Sequence, residues 1–180
     1  MHTHSGSPSV GRDVYIAPTA YVGGDVTLGD ETTVMHHVVI RGDVSAIRIG
    51  RRCNIQDGAI VHTRTGVDLD IADEVAIGHR AVVHCRRVGA RTLVGIGAIV
   101  LDDAEIGEDC LIAAGALVPP GSIVPPGKVL VGIPARVARD VSDDDRRYVQ
   151  FVIARYVDLG RRHAAGAFPP AGGTRPSTAS

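Results

Sequence analysis

The chain has 180 residues, of which 44% are hydrophobic but only 3% aromatic, and tryptophan is absent. This length and composition fit one globular domain with an aliphatic core. A formal net charge of −1 offers no electrostatic surface for nucleic acid, and no apolar run approaches the roughly 18 residues that span a bilayer. The N-terminus lacks the apolar stretch of a signal peptide, and the three cysteines form no CxxC motif, so we expect a reduced, cytoplasmic protein.

Residues 1–12 are predicted to be disordered, and from residue 13 onward one aliphatic residue recurs every six positions. The phase shifts only after Ile40, Val61 and Val83. A period of six excludes an amphipathic helix and is typical of a hexapeptide solenoid, in which each unit is a short strand and a corner. A valine-rich sandwich is the alternative, but its strands would not hold one phase for so long. The 19 unit starts are Ile16, Val22, Leu28, Val34, Ile40, Ile49, Ile55, Val61, Ile71, Ile77, Val83, Val88, Val94, Val100, Ile106, Ile112, Val118, Val124 and Leu130.

Three such units make one triangular coil, so residues 13–140 are predicted to form an all-β solenoid. The handedness does not follow from this count. The usual crossover rule favours a right-handed path, whereas the likeness to hexapeptide solenoids implies a left-handed parallel β-helix. Cys53 and Cys110 occupy small inward positions and are expected in the core.

Residues 141–163 are predicted to form a C-terminal α-helix that packs on the solenoid. Ser142 is a good N-cap, and the three aspartates that follow it suit the positive end of the helix dipole. An apolar stripe at helical spacing is expected to face the solenoid, and it consists of Tyr148, Phe151, Val152, Tyr156 and Leu159. Residues 164–180, rich in Ala, Gly, Pro and Ser, are predicted to be disordered.

Counting units also assigns the polar residues to faces of the solenoid. One column on successive coils, about 4.8 Å apart, contains Arg41, His62 and His84. A column on the preceding face contains His36, Asp57 and His79. Two histidines at this spacing can share a metal ion, and His79 could join them only across a seam between neighbouring solenoids, as in a cyclic trimer. Three separate surface histidines are the alternative.

The segment "VIRGDVSAIRIGRRCNIQDGAIVH", followed by "IGHRAVVH", closely resembles the γ-class carbonic anhydrases. The resemblance extends over roughly residues 14–160. It implies a left-handed β-helix homotrimer with a C-terminal helix and a catalytic metal at the trimer seam. The implied ligands are His62, His79 and His84. Zinc is the implied metal, although three imidazoles also suit Co or Fe(II).

The same resemblance assigns further catalytic-site residues, namely Arg41, Asp43, Asn54, Gln56, Asp57 and Tyr156. Arg41 and Asp43 match a motif that organises the seam by ion pairing, and Tyr156 matches a helix tyrosine that reaches toward the site. The implied activity is hydration of CO2 to bicarbonate by a metal-bound hydroxide, which zinc makes available near pH 7. Gln56 is expected to orient this hydroxide, and Asp57 to accept a hydrogen bond behind the metal ligands.

The sequence departs from the archaeal prototype of that family at several positions. Val44 stands where the prototype has a glutamate, and the 63–70 loop is short, so both familiar proton shuttles are in doubt. His36 or His37 is a hypothetical replacement shuttle, with a solvated surface histidine as the alternative. Cys85 could be a fourth ligand, a redox-sensitive thiol or a surface replacement, and we favour the last.

Three other functions compete with CO2 hydration. An acyl-CoA thioesterase-type hydrolase could use the same metal site, and a non-catalytic trimeric scaffold could keep the metal for assembly. A hexapeptide acyltransferase ranks last, because such enzymes usually carry a catalytic histidine on an extended loop. The fold alone does not decide among these activities.

Overall fold

The computed structural model describes residues 6–171. Nineteen strands and one helix follow each other along this part of the chain. Most strands have only two residues, as expected when each hexapeptide contributes one short strand and one corner. The strands are β1 (Ser9–Val10), β2 (Tyr15–Ile16), β3 (Tyr21–Leu28), β4 (Thr33–Val34), β5 (Val39–Ile49), β6 (Asn54–Ile55), β7 (Ile60–Val61), β8 (Leu69–Ile71), β9 (Ala76–Ile77), β10 (Val82–Val83), β11 (Arg87–Val88), β12 (Leu93–Val94), β13 (Ile99–Val100), β14 (Glu105–Ile106), β15 (Leu111–Ile112), β16 (Leu117–Val118), β17 (Ile123–Val124), β18 (Lys128–Val131) and β19 (Arg136–Asp140), and the helix is α1 (Asp143–Ala164).

The strands stack in parallel into a three-sided, left-handed β-helix, as the hexapeptide repeat predicts. The first face is the ladder that runs from β3 and β5 through β7, β10 and β13 to β16. The second face runs from β2 through β4, β6, β9, β12 and β15 to β18, where β19 adds an antiparallel edge. The third face contains β8, β11, β14 and β17. The long strands β3 and β5 turn a corner and join the first face to the third.

The unit starts identified in the sequence form the centre of the core. All of them are buried except Ile16 and Val22, which are half-buried. Ladder partners match the unit count, since Val83 pairs with Val61 on one side and with Val100 on the other. Full burial of each such side chain contributes roughly 1.5–3 kcal/mol, and this repeated gain stabilises a fold whose strands are too short to stand alone.

The three cysteines are all buried and free of disulfides. Cys53 and Cys110 lie in the core, as predicted. Our interpretation of Cys85 as a surface replacement is wrong, because its side chain also lies in the core, with 1% exposure. Its Sγ faces the carbonyl of Arg87 at 3.8 Å. An inward thiol there fills space beside the aliphatic column.

Helix α1 begins with a complete capping box. Ser142 accepts a hydrogen bond from the Asp145 amide, and the Asp145 carboxylate accepts one from the Ser142 amide at 2.8 Å. The predicted buried stripe is wrong in part, because Tyr148 and Phe151 are exposed. The buried positions are Val149, Ile153, Val157 and Gly160. The helix is therefore rotated from the predicted orientation, and small or β-branched residues bring it close to the second face.

Both ends of the chain continue beyond the described residues. Residues 1–5 and 172–180, which fall in the segments predicted to be disordered, lie outside the described part. Within that part, Ser9 and Val10 pair with Thr27 and Leu28 of β3, so this portion of the predicted disordered N-terminus joins the solenoid. After the helix, the ring of Phe168 packs against His163 with 4.8 Å between centroids.

Within residues 6–171, no helix is long and apolar enough to cross a membrane.

Candidate functional site

His62 and His84 lie side by side at the edge of the first face. Each follows a strand of that face, and because Val61 and Val83 are in register, the residues after them stack on successive coils. Nδ1 of His62 lies 3.1 Å from Nε2 of His84, and the ring centroids are 5.2 Å apart. The predicted column is therefore present, and its two imidazoles are in direct contact.

A carboxylate contacts the outer nitrogen of each of these rings. Asp43 Oδ1 lies 3.1 Å from Nε2 of His62, and Asp102 Oδ1 lies 2.7 Å from Nδ1 of His84. When the outer N–H groups donate to these carboxylates, the neutral rings present lone pairs on the two nitrogens that face each other. Lone pairs at that distance require a proton or a metal cation between them.

Sequence reasoning missed Asp102. The signal was present, since Asp102 follows His84 by 18 residues, the length of one coil. A search for polar residues one coil away from each candidate ligand would have found it.

The ionisation of this pair is set by burial and by charge. Burial lowers the pKa of His62; the hydrogen bond to Asp43 opposes this effect, while the charge of Arg41 adds to it. Burial by itself would raise the pKa of Asp43, but hydrogen bonds from Arg41 and His62 outweigh it, and the pKa lies below its usual range. A neutral imidazole beside an ionised carboxylate is the state that suits metal binding.

Arg41 and Asp43 form an ion pair of 2.5 Å within one chain. Gly42 between them passes close to the neighbouring coil, since a Cβ atom there would lie 2.6 Å from the Asp25 carbonyl oxygen. Any larger residue would push these coils apart. The motif thus directs the Asp43 carboxylate toward His62 through a close backbone approach that only glycine allows.

His79 lies on the second face, apart from the other two histidines. Its Nδ1 is 3.1 Å from Asp57 Oδ2, and its Nε2 is 3.3 Å from the Tyr156 hydroxyl on helix α1. Among the described residues of one chain, no group of three or more His, Cys, Asp or Glu side chains is arranged to hold a metal. The single chain therefore brings together His62 with His84, and separately His79 with Asp57 and Tyr156.

Asn54 and Gln56 form a buried amide pair beside His79. Gln56 donates from Nε2 to Asn54 Oδ1 at 2.9 Å, which leaves its own carbonyl oxygen available as an acceptor. The Nδ2 group of Asn54 is buried and has no hydrogen-bond partner within the described residues. An amide pair of this kind holds Gln56 in one orientation at the edge of the site.

An apolar cleft of about 340 Å³ opens at His79 between the second face and helix α1. Gln56 and His79 lie at its polar part, and the remaining walls are mainly aliphatic and aromatic. These include Leu93, Ile96, Leu111, Tyr148, Val152 and Tyr156. Tyr148, Val152 and Tyr156 of the predicted apolar stripe thus line a cleft instead of packing into the core.

The short loop after His62 is held by hydrogen bonds to Ser45 and Ala46 of β5. Asp68 Oδ1 accepts from the Ala46 amide at 3.0 Å, and Ser45 Oγ accepts from the Gly66 amide at 2.7 Å. The Asp68 carboxylate is therefore engaged in fixing the loop, while Asp70 is exposed on the third face. Val44 contributes no acidic group at this point.

Comparisons with known proteins cover most of the chain. A family model described as dynactin subunit 5 matches residues 7–158. A carbonic anhydrase from Geobacillus kaustophilus is 45% identical over 88% of this chain and 87% of its own length. The chain belongs to the γ-class carbonic anhydrase family. The dynactin subunit 5 model covers the solenoid and most of the helix, so the chain also belongs to the family that this model describes.

A further relative agrees with this assignment, whereas a solved structure shows that proteins with another name share the fold. Gamma carbonic anhydrase 2, mitochondrial, of Arabidopsis thaliana is 36% identical over 92% of this chain, which spans 62% of that protein. A hexapeptide transferase family protein from Anaplasma phagocytophilum matches with a TM-score of 0.81 and 37% identity, over 86% of this chain and 91% of that one. The fold is thus shared by γ-class and transferase-named proteins, and the choice of chemistry depends on the site.

Proposed function

We propose that the protein is a metal-dependent carbonic anhydrase that hydrates CO2 to bicarbonate at the seams of a homotrimer. Each metal is held by His62 and His84 of one subunit and His79 of the next. The observation that carries this proposal is that all three histidines contact a carboxylate through one ring nitrogen, while the second nitrogens of His62 and His84 face each other. A carboxylate behind each imidazole is the usual arrangement around a metal-binding histidine.

The geometry of the His62–His84 pair supports a shared metal. Two nitrogens bound at about 2.0–2.1 Å to one tetrahedral ion lie roughly 3.3 Å apart. The facing nitrogens are separated by 3.1 Å, close to that value. The donor set fits zinc, and the same imidazoles would also suit cobalt or ferrous iron.

A zinc ion in such a site supplies an activated water by lowering its pKa to about 7. The protein's own groups prepare its surroundings. Asp57 and Asp102 fix the tautomers of His79 and His84, and Asp43, itself held by Arg41, does the same for His62. Gln56 presents its carbonyl oxygen to orient the attacking water, and Asn54 holds that amide in place. Tyr156 contacts Nε2 of His79 and positions the ring.

The separation of His79 from the other two ligands supports a cyclic assembly. A contact between the first face of one subunit and the second face of the next is heterologous, and three copies can close it. The three free, buried thiols are also compatible with a reducing compartment such as the cytoplasm.

Subunit mixing tests this arrangement directly. Trimers made only of His79→Asn subunits, or only of His62→Asn/His84→Asn subunits, hold no complete site. When the two kinds of subunit are co-expressed, one seam in each mixed trimer joins an intact His79 to an intact His62 and His84. We expect zinc content and CO2 hydration to return in the mixture. Failure to recover either would show that the ligands are not shared across a seam.

A second candidate is thioester hydrolysis at the same metal, which the apolar cleft beside His79 favours because it could receive an acyl chain. Assays of CO2 hydration and of acyl-CoA hydrolysis, with and without chelator, separate the two activities. A stable trimer that is purified without metal and shows neither activity would support the scaffold alternative.

A further inference from the structure

Three aromatic rings meet the end of helix α1 at a corner outside the proposed metal site. The ring of His163, in the last turn of the helix, stacks on Tyr15 with 5.2 Å between centroids. The same ring meets His36 edge-on at 5.9 Å. Nδ1 of His36 lies 2.9 Å from Thr19 Oγ1, so one nitrogen of that ring is engaged and the other is available. The centroids of these two imidazoles are 5.9 Å apart, a separation that one bridging water molecule can span.

This pair lies near the proposed site along the second face. The Gly58 amide donates to the His36 carbonyl at 2.9 Å, which places His36 one coil from Asp57, and Asp57 in turn contacts His79. At about 4.8 Å per coil, His36 is roughly 10 Å from His79. The pair is therefore within reach of the site without touching any of the proposed ligands.

The close contact of the helix with β4 holds His163 in position. Gly160 packs so tightly on Thr33 that a Cβ atom would lie 2.6 Å from the Thr33 methyl carbon. Arg161 forms an ion pair with Glu31, whose carboxylate also contacts Arg52. These contacts bring the last helical turn against the corner that carries His36.

We propose that His163 and His36 form a two-imidazole relay that carries the proton released by CO2 hydration out to buffer. His163 takes up the proton from water near Asp57 and becomes an imidazolium, His36 receives it, and His36 releases it to solvent. Both rings return to the neutral state, so the relay is regenerated once per turnover. This inference rests on the proposed function. It also replaces the hypothesis of a single proton shuttle, either His36 or His37, with the specific pair His163 and His36.

The charged groups around His163 are compatible with this role. Burial lowers its pKa below the usual 6.5, and the neighbouring charges of His36 and Arg162 lower it further, whereas Asp57 raises it. Tyr15 covers one side of the ring, and Phe168 lies on it at 4.8 Å. The ring is neutral at pH 7–8 and can accept a proton, while the Asp57 carboxylate favours the transient cation.

His37 offers a matched control. It is adjacent to His36 and exposed, with a ring centroid 6.3 Å from that of His36, and no ring contact with His163 is found among the described residues. Its backbone has a φ of 61°, which asparagine also tolerates. The His37→Asn variant therefore removes an imidazole that also lies near His36 but leaves both rings of the proposed relay in place.

The kinetic test uses the zinc-loaded trimer. In dilute buffer, we expect His163→Gln and His36→Asn to lower kcat at least about tenfold, because positioned proton transfer contributes at least this much. We expect kcat/KM for CO2 to stay unchanged, since proton export follows the hydration step. Added imidazole should restore kcat, and His37→Asn should behave like the wild type. Unchanged kcat in both variants, with an active wild type, overturns the relay but not the proposed function.

A second readout does not depend on activity. Titration of the histidine ring nitrogens by NMR in the metal-free protein measures the coupling of the pair. We expect His36→Asn to raise the pKa of His163, because a neighbouring positive charge is removed, and His37→Asn to leave it unchanged. A His163 titration that is identical in the wild type and in His36→Asn overturns the relay. A zinc-loaded wild type that hydrates no CO2 in any buffer overturns the proposed function, and the relay with it.

Discussion

His84 Nδ1 contacts Asp102 Oδ1 at 2.7 Å, from one coil of the solenoid to the next. This contact is the shortest of the three that join a proposed ligand to a carboxylate, and it orients the ring so that Nε2 faces His62. A residue of the following coil thus decides which nitrogen of His84 faces the proposed metal site.

Replacing Asp102 should weaken the metal site. We expect Asp102→Asn to lower zinc affinity about 10–100-fold, because a neutral amide no longer stabilises the ring's N–H as a carboxylate does. Competition with a chromogenic chelator measures the effect. Asp103→Asn is the control, since Asp103 pairs with Arg64 on the surface. Equal zinc affinity in Asp102→Asn and the wild type would contradict the role given to this carboxylate.

Gly160→Ala should destabilise the protein, although alanine is the better helix former by about 1 kcal/mol. The added methyl group would lie 2.6 Å from the Thr33 Cγ2 atom, and overpacking of this kind costs about 1–3 kcal/mol. Thr33→Ser removes that carbon and keeps the hydroxyl that donates to the Tyr156 carbonyl. We therefore expect the double variant to recover stability in urea denaturation. Additive losses in the double variant would show that the two positions do not collide.

The three thiols should resist modification in the folded protein. Burial raises the pKa of Cys53 and of Cys85 to about 12, so neither forms an appreciable thiolate at pH 8. We expect Ellman's reagent to label no thiol promptly in the native protein and all three after unfolding in guanidinium. Rapid labelling of Cys85 in the native protein, located by peptide mapping, would restore the interpretation of this residue as an accessible, redox-sensitive group.

The capping box should make stability fall in acid. The Arg139 guanidinium and the hydroxyl and amide of Ser142 hold the pKa of Asp145 well below its usual range. Because the pKa of Asp145 is lower in the folded than in the unfolded state, folding favours the charged carboxylate. The resulting contribution to the free energy of unfolding is fully present above the unfolded pKa near 3.9. It is lost as the pH falls through the folded pKa. We expect the stability gap between the wild type and Asp145→Asn to be widest at neutral pH and to close in acid. A gap independent of pH would contradict this.

Matched variants separate the cap from general surface charge. Ser142→Ala should cost about 0.5–2 kcal/mol of unfolding free energy, because the Asp145 amide loses its acceptor. Asp144→Asn should change stability little, since Asp144 is exposed and, among residues 6–171, forms an ion pair only with Arg147. Urea titrations at several pH values measure all three variants.

The six-residue period allowed most of the solenoid to be predicted. Because each coil contacts mainly its neighbours, residue spacing translates directly into spatial columns, and His62 and His84 meet as counted. Residue spacing could not predict which side of helix α1 faces the solenoid, because apolar residues cover more than half of the helix circumference. The close contact of Gly160 with Thr33 selects the face that packs, and this leaves Tyr148 and Phe151 exposed.

The amino-acid sequence by itself determined the unit starts, the three faces and the column to which each histidine belongs, because stacking of identical units leaves no other register for the aliphatic residues. Only the tertiary structure decided that the Asp43 carboxylate meets His62, that Cys85 points inward, and that His163 lies against His36. Those contacts depend on side-chain direction at the corners and on docking of a distant helix. Neither is encoded in a local period, since both arise from packing between segments far apart in the chain.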